Sequence, residues 1–134
     1  MYSTKIVTSF ILQVDKILIL KRSQNVKTMK GLWAAISGII EGNEEPLQRA
    51  KIEIFEETGI TEDCLVLLKV APKMQIISPQ YTHHEWSVFP FLFSVKEPKI
   101  KLNWENSEFK WIYPNEISKY QTVPSLEMVL ASLL

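Results

Sequence analysis

The chain has 134 residues, of which 46% are hydrophobic and 22% are charged, so it is long enough to bury a core and its composition excludes a disordered protein. Its 15 basic and 15 acidic residues give a formal net charge of zero, which argues against a general affinity for nucleic acid polymers or membrane surfaces. Any function that depends on charge must therefore be local.

Cysteine usage and hydropathy bear on the compartment. Cys64 is the single cysteine, so no disulfide can form within the chain, which suits a reducing compartment. We interpret Cys64 as a small buried hydrophobic residue. No apolar stretch approaches the roughly 20 residues of a membrane span, and the N-terminal segment has no signal-peptide cleavage pattern. We expect a cytoplasmic protein.

The first forty residues predict mainly extended structure. Residues 5–12 and 16–22 resemble two strands joined by a tight turn near Val14 and Asp15. The apolar run at 17–20 does not alternate, which indicates a strand covered on both faces. Residues 23–31 form a polar loop, and residues 32–40 form a further extended segment.

Residues 46–58 predict a helix. Pro46 suits the first helical position, and Gly59 suits the left-handed residue after the last turn. Apolar residues recur at helical spacing and predict the face that packs on the core. This stripe consists of Leu47, Ala50 and Ile54.

The second half of the chain predicts further strands and a terminal helix. Strands are expected at residues 64–71, 85–95 and 109–113, one helical turn after Pro114, and an amphipathic helix at 125–134. Pro90 inside the second of these strands indicates a bulge or an edge position. We expect an α+β fold with a mixed sheet between helices, formed as one domain over residues 1–134.

Three glutamates crowd the last turns of the predicted helix. Glu53, Glu56 and Glu57 share one face, where each like-charge pair costs about 0.2–0.5 kcal/mol and the helix dipole disfavours anions. Arg49 can reach Glu53, but one cation does not balance three anions. The cluster is either a solvated acidic surface or a site for a divalent cation that prefers oxygen ligands.

The residues around this cluster resemble a known motif. From Gly38 the spacing follows G-x5-E-x7-R-E-U-x-E-E-x-G-U, the Nudix box, in which U is a bulky aliphatic residue. Glu41 matches a looser form of the pattern. A long motif of fixed spacing is specific, unlike a lone glycine signature. The matching positions are Gly38, Glu44, Glu53, Ile54, Glu56, Glu57, Gly59 and Ile60.

The resemblance implies a Nudix-type α/β/α sandwich with a central catalytic helix and a C-terminal helix. It implies hydrolysis of a nucleoside diphosphate linked to another moiety, with Mg²⁺ or alternatively Mn²⁺ as cofactor. Its metal ligands would be Glu53, Glu56, Glu57 and the Gly38 carbonyl, with Glu53 as an alternative base. Glu41 and Glu44 would be supporting carboxylates.

Ile52 departs from the pattern, because the family has arginine at this position. By resemblance, that arginine orients the glutamates. Arg49 and Lys51 are the candidate substitutes, and helical geometry places Arg49 closer to the acidic face. We expect Arg49 to be a supporting residue.

Further site residues are suggested outside the box. Glu105 is favoured over Glu85 and Glu108 as a catalytic glutamate from outside the motif. Lys21 and Arg22 end a strand where the family often places a basic residue near the substrate phosphates, although ordinary strand-end charge explains them equally well. The remaining substrate-contact candidates are Trp33, which could stack on a base, and His84.

Two other functions compete with the hydrolase. Ile52 leaves open a catalytically weakened nucleotide-binding or regulatory module, and the isomerases of isopentenyl diphosphate share the fold but have a cysteine motif absent here. The chain also loosely resembles archaeal Nudix domains found alone or fused to initiation-factor-2B-like domains. We expect a small nucleotide-derived substrate, neither nucleic acid nor membrane as partner, and we leave a homodimer open.

Overall fold

The structure, a computed structural model, describes residues 2–77, 83–96 and 98–134. Within these ranges, the α-helices are α1, Pro46–Thr58, and α2, Leu126–Ser132. Short 3₁₀ segments form at Glu62–Cys64 and Pro114–Lys119. The strands are β1 Tyr2–Gln13, β2 Lys16–Arg22, β3 Trp33–Ala34, β4 Ile36–Ile39, β5 Leu65–Val70, β6 Met74–Ile77, β7 His84–Val95 and β8 Asn106–Ile112.

The strands form one mixed sheet around β1. The main order is β3-β2-β1-β7-β5, while β4 pairs with β1, β6 with β7 and β8 with β2. Strands β1 and β7 run parallel over their whole common length, and the other pairs are antiparallel. The sheet therefore needs cover on both faces, as buried parallel strands do.

Each face of the sheet has its own hydrophobic core. Ala50 and Ile54 of α1 pack with Val7 and Ile11 of β1 on one face. On the other face the apolar side of α2, including Val129, packs against the sheet. The predicted α+β sandwich with a mixed sheet, a central helix and a terminal helix is confirmed.

The predicted hairpin is present, with Val14 at its turn in the left-handed region at φ 59°. The apolar run 17–20 is fully buried, as expected for a strand with a core on each face. The extended segment at 32–40 is divided into β3 and β4. The terminal helix begins after Ser125 and is shorter than the sequence predicts.

The expectation for Pro90 was wrong. Strand β7 lies inside the sheet, and Pro90 pairs with Thr8 of β1 without a bulge in β7. On its other side the pairing with β5 ends at Phe91 and the pairing with β6 begins at Val88. Proline is tolerated because no antiparallel partner needs its missing N–H at this gap.

Cys64 is exposed, so the expectation of a buried cysteine was also wrong. It ends the 3₁₀ turn before β5, a strand that itself packs little against the rest of the chain. Within the described residues, no helix is both long enough and apolar enough to cross a membrane.

Candidate active site

Helix α1 and strand β4 approach each other very closely at Gly38. A Cβ atom on Gly38 would lie 2.1 Å from Cδ of Glu53, far inside van der Waals contact. The helix ends as predicted at Gly59, whose φ of 79° is left-handed and whose N–H donates to the Phe55 carbonyl at 2.8 Å. Glycine at position 38 therefore allows the Glu53 carboxylate to lie against the sheet.

The three glutamates of α1 differ sharply in exposure. Glu53 and Glu57 are only 8% and 4% exposed, whereas Glu56 is exposed to solvent. Carboxylates are almost never buried unless they are paired or functional. The cluster is therefore not a uniformly solvated acidic surface.

Arg49 holds two of the acidic residues together. Its Nε and Nη2 donate to the two carboxylate oxygens of Glu44 at 3.1 and 2.6 Å, and its Nη1 donates to Oε2 of Glu53 at 2.9 Å. Oε1 of Glu44 also accepts the backbone N–H of Glu41 at 2.7 Å. The Arg49 hydrogen bond lowers the pKa of Glu44, and the two carboxylates raise the pKa of Arg49. Lys51 points elsewhere and pairs with Glu62 at 3.7 Å.

Glu57 is the most deeply buried acid and is only partly satisfied. Its Oε1 accepts from Nδ2 of Asn106 at 3.2 Å, but Oε2 has no hydrogen-bond partner among the described residues. Burial raises the pKa of Glu57 well above its usual value, and the charge of Glu105 raises it further. A buried carboxylate oxygen without a partner is costly, so it marks a position where a ligand is expected.

Glu53 and Glu105 form one cluster of interacting charges with Glu57. Burial raises the pKa of Glu53, the hydrogen bond from Arg49 opposes that shift, and the charges of Glu56 and Glu105 add to it. Perturbed carboxyl pKa values clustered beside a cavity are typical of functional sites.

Asn106 is a site residue that the sequence analysis did not identify. It is 7% exposed at the first position of β8, directly after Glu105. The only sequence signal was its place in the same polar stretch as Glu105, and nothing in one dimension shows that its amide reaches Glu57.

A cavity of about 160 Å³ opens beside these groups. One part of its wall is polar, and the rest is apolar and includes Trp86, Val88 and Leu126. Arg22 reaches the cavity while its guanidinium donates to the Thr28 carbonyl at 3.0 and 3.2 Å. The polar lining consists of Thr8, Arg22, Ser37, Glu57, Glu105 and Asn106.

Three of the predicted substrate-contact residues do not line this cavity. Lys21 pairs with Glu108 at 3.4 Å. Trp33 is 8% exposed in the core, where its ring lies 5.5 Å from that of Tyr120. His84 hydrogen-bonds through Nε2 with Oγ1 of Thr4 at 2.7 Å. Strand residues Lys21 and Arg22 point to opposite faces, so only one of them can reach the cavity.

The carboxylate oxygens of this site suit a hard divalent cation, although they do not converge into a complete coordination shell. Within the described ranges, no group of three or more His, Cys, Asp or Glu side chains converges to hold a metal. Arg49 holds Glu53 and Asn106 holds Glu57. The unpartnered Oε2 of Glu57 is an oxygen donor of the kind that Mg²⁺ and Mn²⁺ prefer, so the residues fit such an ion.

Comparison with protein families decides the assignment. The model of the NUDIX domain matches residues 3–133, nearly the whole chain. This chain belongs to the Nudix family. It is accordingly a hydrolase that acts on phosphoric anhydrides. Comparison with curated protein sequences finds no match.

Solved structures share the Nudix fold at low sequence identity. A MutT protein from Methanosarcina mazei Go1 is 24% identical, with 97% of this chain and 91% of that chain covered and a TM-score of 0.75. A Nudix hydrolase from Nitrosomonas europaea is 18% identical, with 97% and 87% covered and a TM-score of 0.79. A C. elegans Ap4A hydrolase in a binary complex is 18% identical, with 96% and 93% covered and a TM-score of 0.77. At these identities, the likeness is one of fold.

Proposed function

We propose that the protein is a Mg²⁺-dependent hydrolase of a nucleoside diphosphate linked to another moiety. The observation that carries the proposal is the buried Glu57, whose Oε2 has no partner and which lies with Glu105 in the wall of the cavity. Burying a carboxylate oxygen without a partner costs free energy, and a bound ligand would offset that cost. A divalent cation would do so and also suits a diphosphate substrate.

Residues of α1 and β4 would hold the ion. Glu53, Glu56, Glu57 and the Gly38 carbonyl are the proposed donors, with Glu41 and Glu44 in support. A bound Mg²⁺ supplies charge neutralisation at the phosphoryl oxygens. Mn²⁺ has the same preference for oxygen and is the proposed alternative.

The chain's own side chains would handle water and substrate. Glu105 is proposed to accept the proton of the attacking water, whose oxygen bonds to phosphorus while the anhydride P–O bond breaks. Glu53 is the alternative base. Arg22 is the better-supported phosphate contact of the strand-end pair because it lines the cavity, whereas Lys21 is paired with Glu108. The products are two phosphate esters or, from a nucleoside triphosphate, one nucleotide and either pyrophosphate or inorganic phosphate.

We infer that Arg49 does the work of the arginine that Ile52 replaces. Its three hydrogen bonds fix Glu44 and Glu53 relative to each other. A planar guanidinium fork is suited to this task because it binds two carboxylates at fixed angles. Ile52 therefore gives little support to a catalytically weakened binding module.

A substrate screen with matched variants tests the proposal. Nucleoside triphosphates, ADP-ribose, NADH, dinucleoside polyphosphates and sugar nucleotides would be incubated with Mg²⁺ or Mn²⁺ and their products separated by chromatography. At least one class should be hydrolysed. Glu56→Gln and Glu57→Gln should each lower kcat/KM by about 100-fold or more. Glu127→Gln, an exposed carboxylate on α2, should leave it unchanged.

Two results would contradict the proposal. One is full activity of Glu57→Gln, which would remove Glu57 from the metal site. The other is the absence of turnover on every class by a folded protein that binds Mg²⁺, which would favour the binding module. A reducing, cytoplasmic location is proposed with this function because it suits a chain with one cysteine.

A further inference from the structure

Strand β5 is the outermost strand at one end of the sheet, and apart from the half-buried Leu65 its side chains are exposed on both faces. Four large apolar residues in it remain in solvent: Val66, Leu67, Leu68 and Val70 are 59%, 40%, 48% and 54% exposed. Strand β7 is its only pairing partner among the described residues. Edge strands in monomers are usually blunted by charge or proline, and Lys69 is the single charge here.

A β-bulge shapes this edge. Leu67 pairs with Phe93 and Lys69 pairs with Leu92, so Leu68 is an extra residue with no partner in β7. A bulge bends the strand and interrupts the regular spacing of backbone groups along its outer side. A partner at this surface would therefore be held by the apolar side chains rather than by a continuous backbone ladder.

Charges at the two ends of β5 have opposite signs. Glu62 and Asp63 precede the strand, Lys69 is its next-to-last residue, and Lys73 follows its end at Val70. In the part of the chain that the structure describes, Glu62 pairs with Lys51 and no ion pair engages Lys69 or Lys73. A second β5 running in the opposite direction would bring each acidic end to a basic end, and one running in the same direction would bring like charges together.

We propose that β5 is the contact surface of a homodimer, in which two copies of the strand pack antiparallel about a twofold axis near Leu68. Asp63 and Lys73 are equally distant from Leu68 along the chain, as are Val66 and Val70. The twofold arrangement therefore relates the two valines within the strand and brings Asp63, just before β5, towards Lys73, which follows the end of β5 at Val70. The contact has an apolar centre and a charged rim, as stable interfaces do. A second copy fits because the surface is complementary to itself.

Light scattering after gel filtration, over a concentration series of the full chain, measures the association. The wild type should reach twice the 15.5 kDa mass of one chain. Leu68→Lys should raise the dimer dissociation constant by at least about tenfold, because it places a charge at the apolar centre of the contact. Met128→Lys is the matched control: it changes an apolar residue of α2 that is 50% exposed and should leave the dimer intact.

A charge exchange tests the antiparallel arrangement. Asp63→Lys and Lys73→Asp should each weaken the dimer by about tenfold through like-charge contacts, and the double variant should restore it. Dimers that are insensitive to the single changes, or that the double variant fails to restore, would overturn this arrangement.

Cross-linking gives a readout that does not depend on a destabilising variant. In a Cys64→Ser background, Leu68→Cys should form a covalent dimer on mild oxidation because the axis brings the two residues together. Val14→Cys, which replaces a residue that is 91% exposed on the β1–β2 turn, should not. A wild type that remains monomeric at its highest soluble concentration would overturn the proposal. Equal cross-linking at both positions would also do so.

Discussion

At the scale of single residues, this chain departs from the Nudix motif in the position of one arginine, which lies three residues earlier in the helix. The arginine that the motif has at position 52 is replaced by isoleucine, yet Arg49 donates three hydrogen bonds to Glu44 and Glu53. Positions 49 and 53 are one helical turn apart, which explains why a residue earlier in the helix can reach the same carboxylate. The orientation of a box glutamate can thus be kept although the motif is broken.

We predict that Arg49→Ala lowers kcat/KM by about 10–100-fold, the range for residues that orient metal ligands. Arg49→Lys should recover only part of the loss, because an ammonium group cannot form the guanidinium fork. Steady-state kinetics with varied Mg²⁺ would separate metal affinity from turnover.

The control for Arg49 is Lys51→Ala, since Lys51 pairs with Glu62 outside the cluster and its loss should not change the kinetics. Adding Ile52→Arg to Arg49→Ala should restore activity if the two positions share one role. An Arg49→Ala enzyme with unchanged Mg²⁺ affinity and turnover would show that Arg49 is dispensable.

Glu57 is predicted to destabilise the metal-free protein at neutral pH. Its pKa is raised in the folded state, so the folded protein binds the proton more tightly than the unfolded chain does. Stability from this group is therefore lost as the pH rises from the usual value of 4.5 through the raised pKa, and the loss is complete above it. Glu57→Gln removes the buried charge and should increase the free energy of unfolding by about 1–3 kcal/mol at neutral pH.

Urea unfolding in EDTA at several pH values checks this prediction. The difference between Glu57→Gln and wild type should shrink as the pH falls and become smallest below 4.5, where the carboxyl group is protonated in both states. A difference that stays constant with pH, or a variant that is less stable at neutral pH, would contradict it.

At the scale of elements, the contact between β4 and α1 depends on one missing side chain. Gly38→Ala would place a Cβ 2.1 Å from Cδ of Glu53, so either the glutamate or the strand must move. We predict a loss of about 1–3 kcal/mol in stability from this overpacking, together with a severe loss of activity because Glu53 leaves its position. Thermal unfolding and kcat/KM would be measured on the same sample.

Ile39→Ala is the matched control for Gly38→Ala. It changes the next residue of the same strand, which is 53% exposed and points away from the contact. Its activity should be close to that of the wild type. An active Gly38→Ala enzyme would show that the Glu53 carboxylate need not lie against β4.

At the scale of the whole molecule, ion binding and folding should be linked. An ion that binds only the folded protein adds about 2.7 kcal/mol of stability when its concentration is 100 times its dissociation constant. Wild-type protein should therefore unfold at a higher temperature as Mg²⁺ is added. The matched Glu57→Gln variant should respond much less, because the proposed site loses its buried ligand.

The Mg²⁺ response would be measured by differential scanning calorimetry, with Ca²⁺ as a comparison and choline chloride as an ionic-strength control. Equal shifts for wild type and Glu57→Gln would indicate a general salt effect. Such a result would count against a metal site at Glu57, whatever the activity of the enzyme.

Much of the fold could be predicted from local sequence signals. Pro46 and Gly59 defined the ends of α1 to the residue, because a proline at the first turn and a left-handed glycine after the last act through the backbone alone. The buried strand at 17–20 was evident from its uninterrupted apolar run. Pro90 was misplaced because its tolerance depends on where two other strands end.

The sequence by itself determined the family and the set of candidate carboxylates, because both depend on residue types at fixed spacing along one helix and its flanking loop. Only the tertiary structure decided how these residues differ. It buried Glu53 and Glu57 but left Glu56 exposed, and it brought Asn106 to Glu57 across 49 positions of sequence. Burial and long-range hydrogen bonds depend on which elements pack together. No periodicity or spacing in a single sequence reveals that packing.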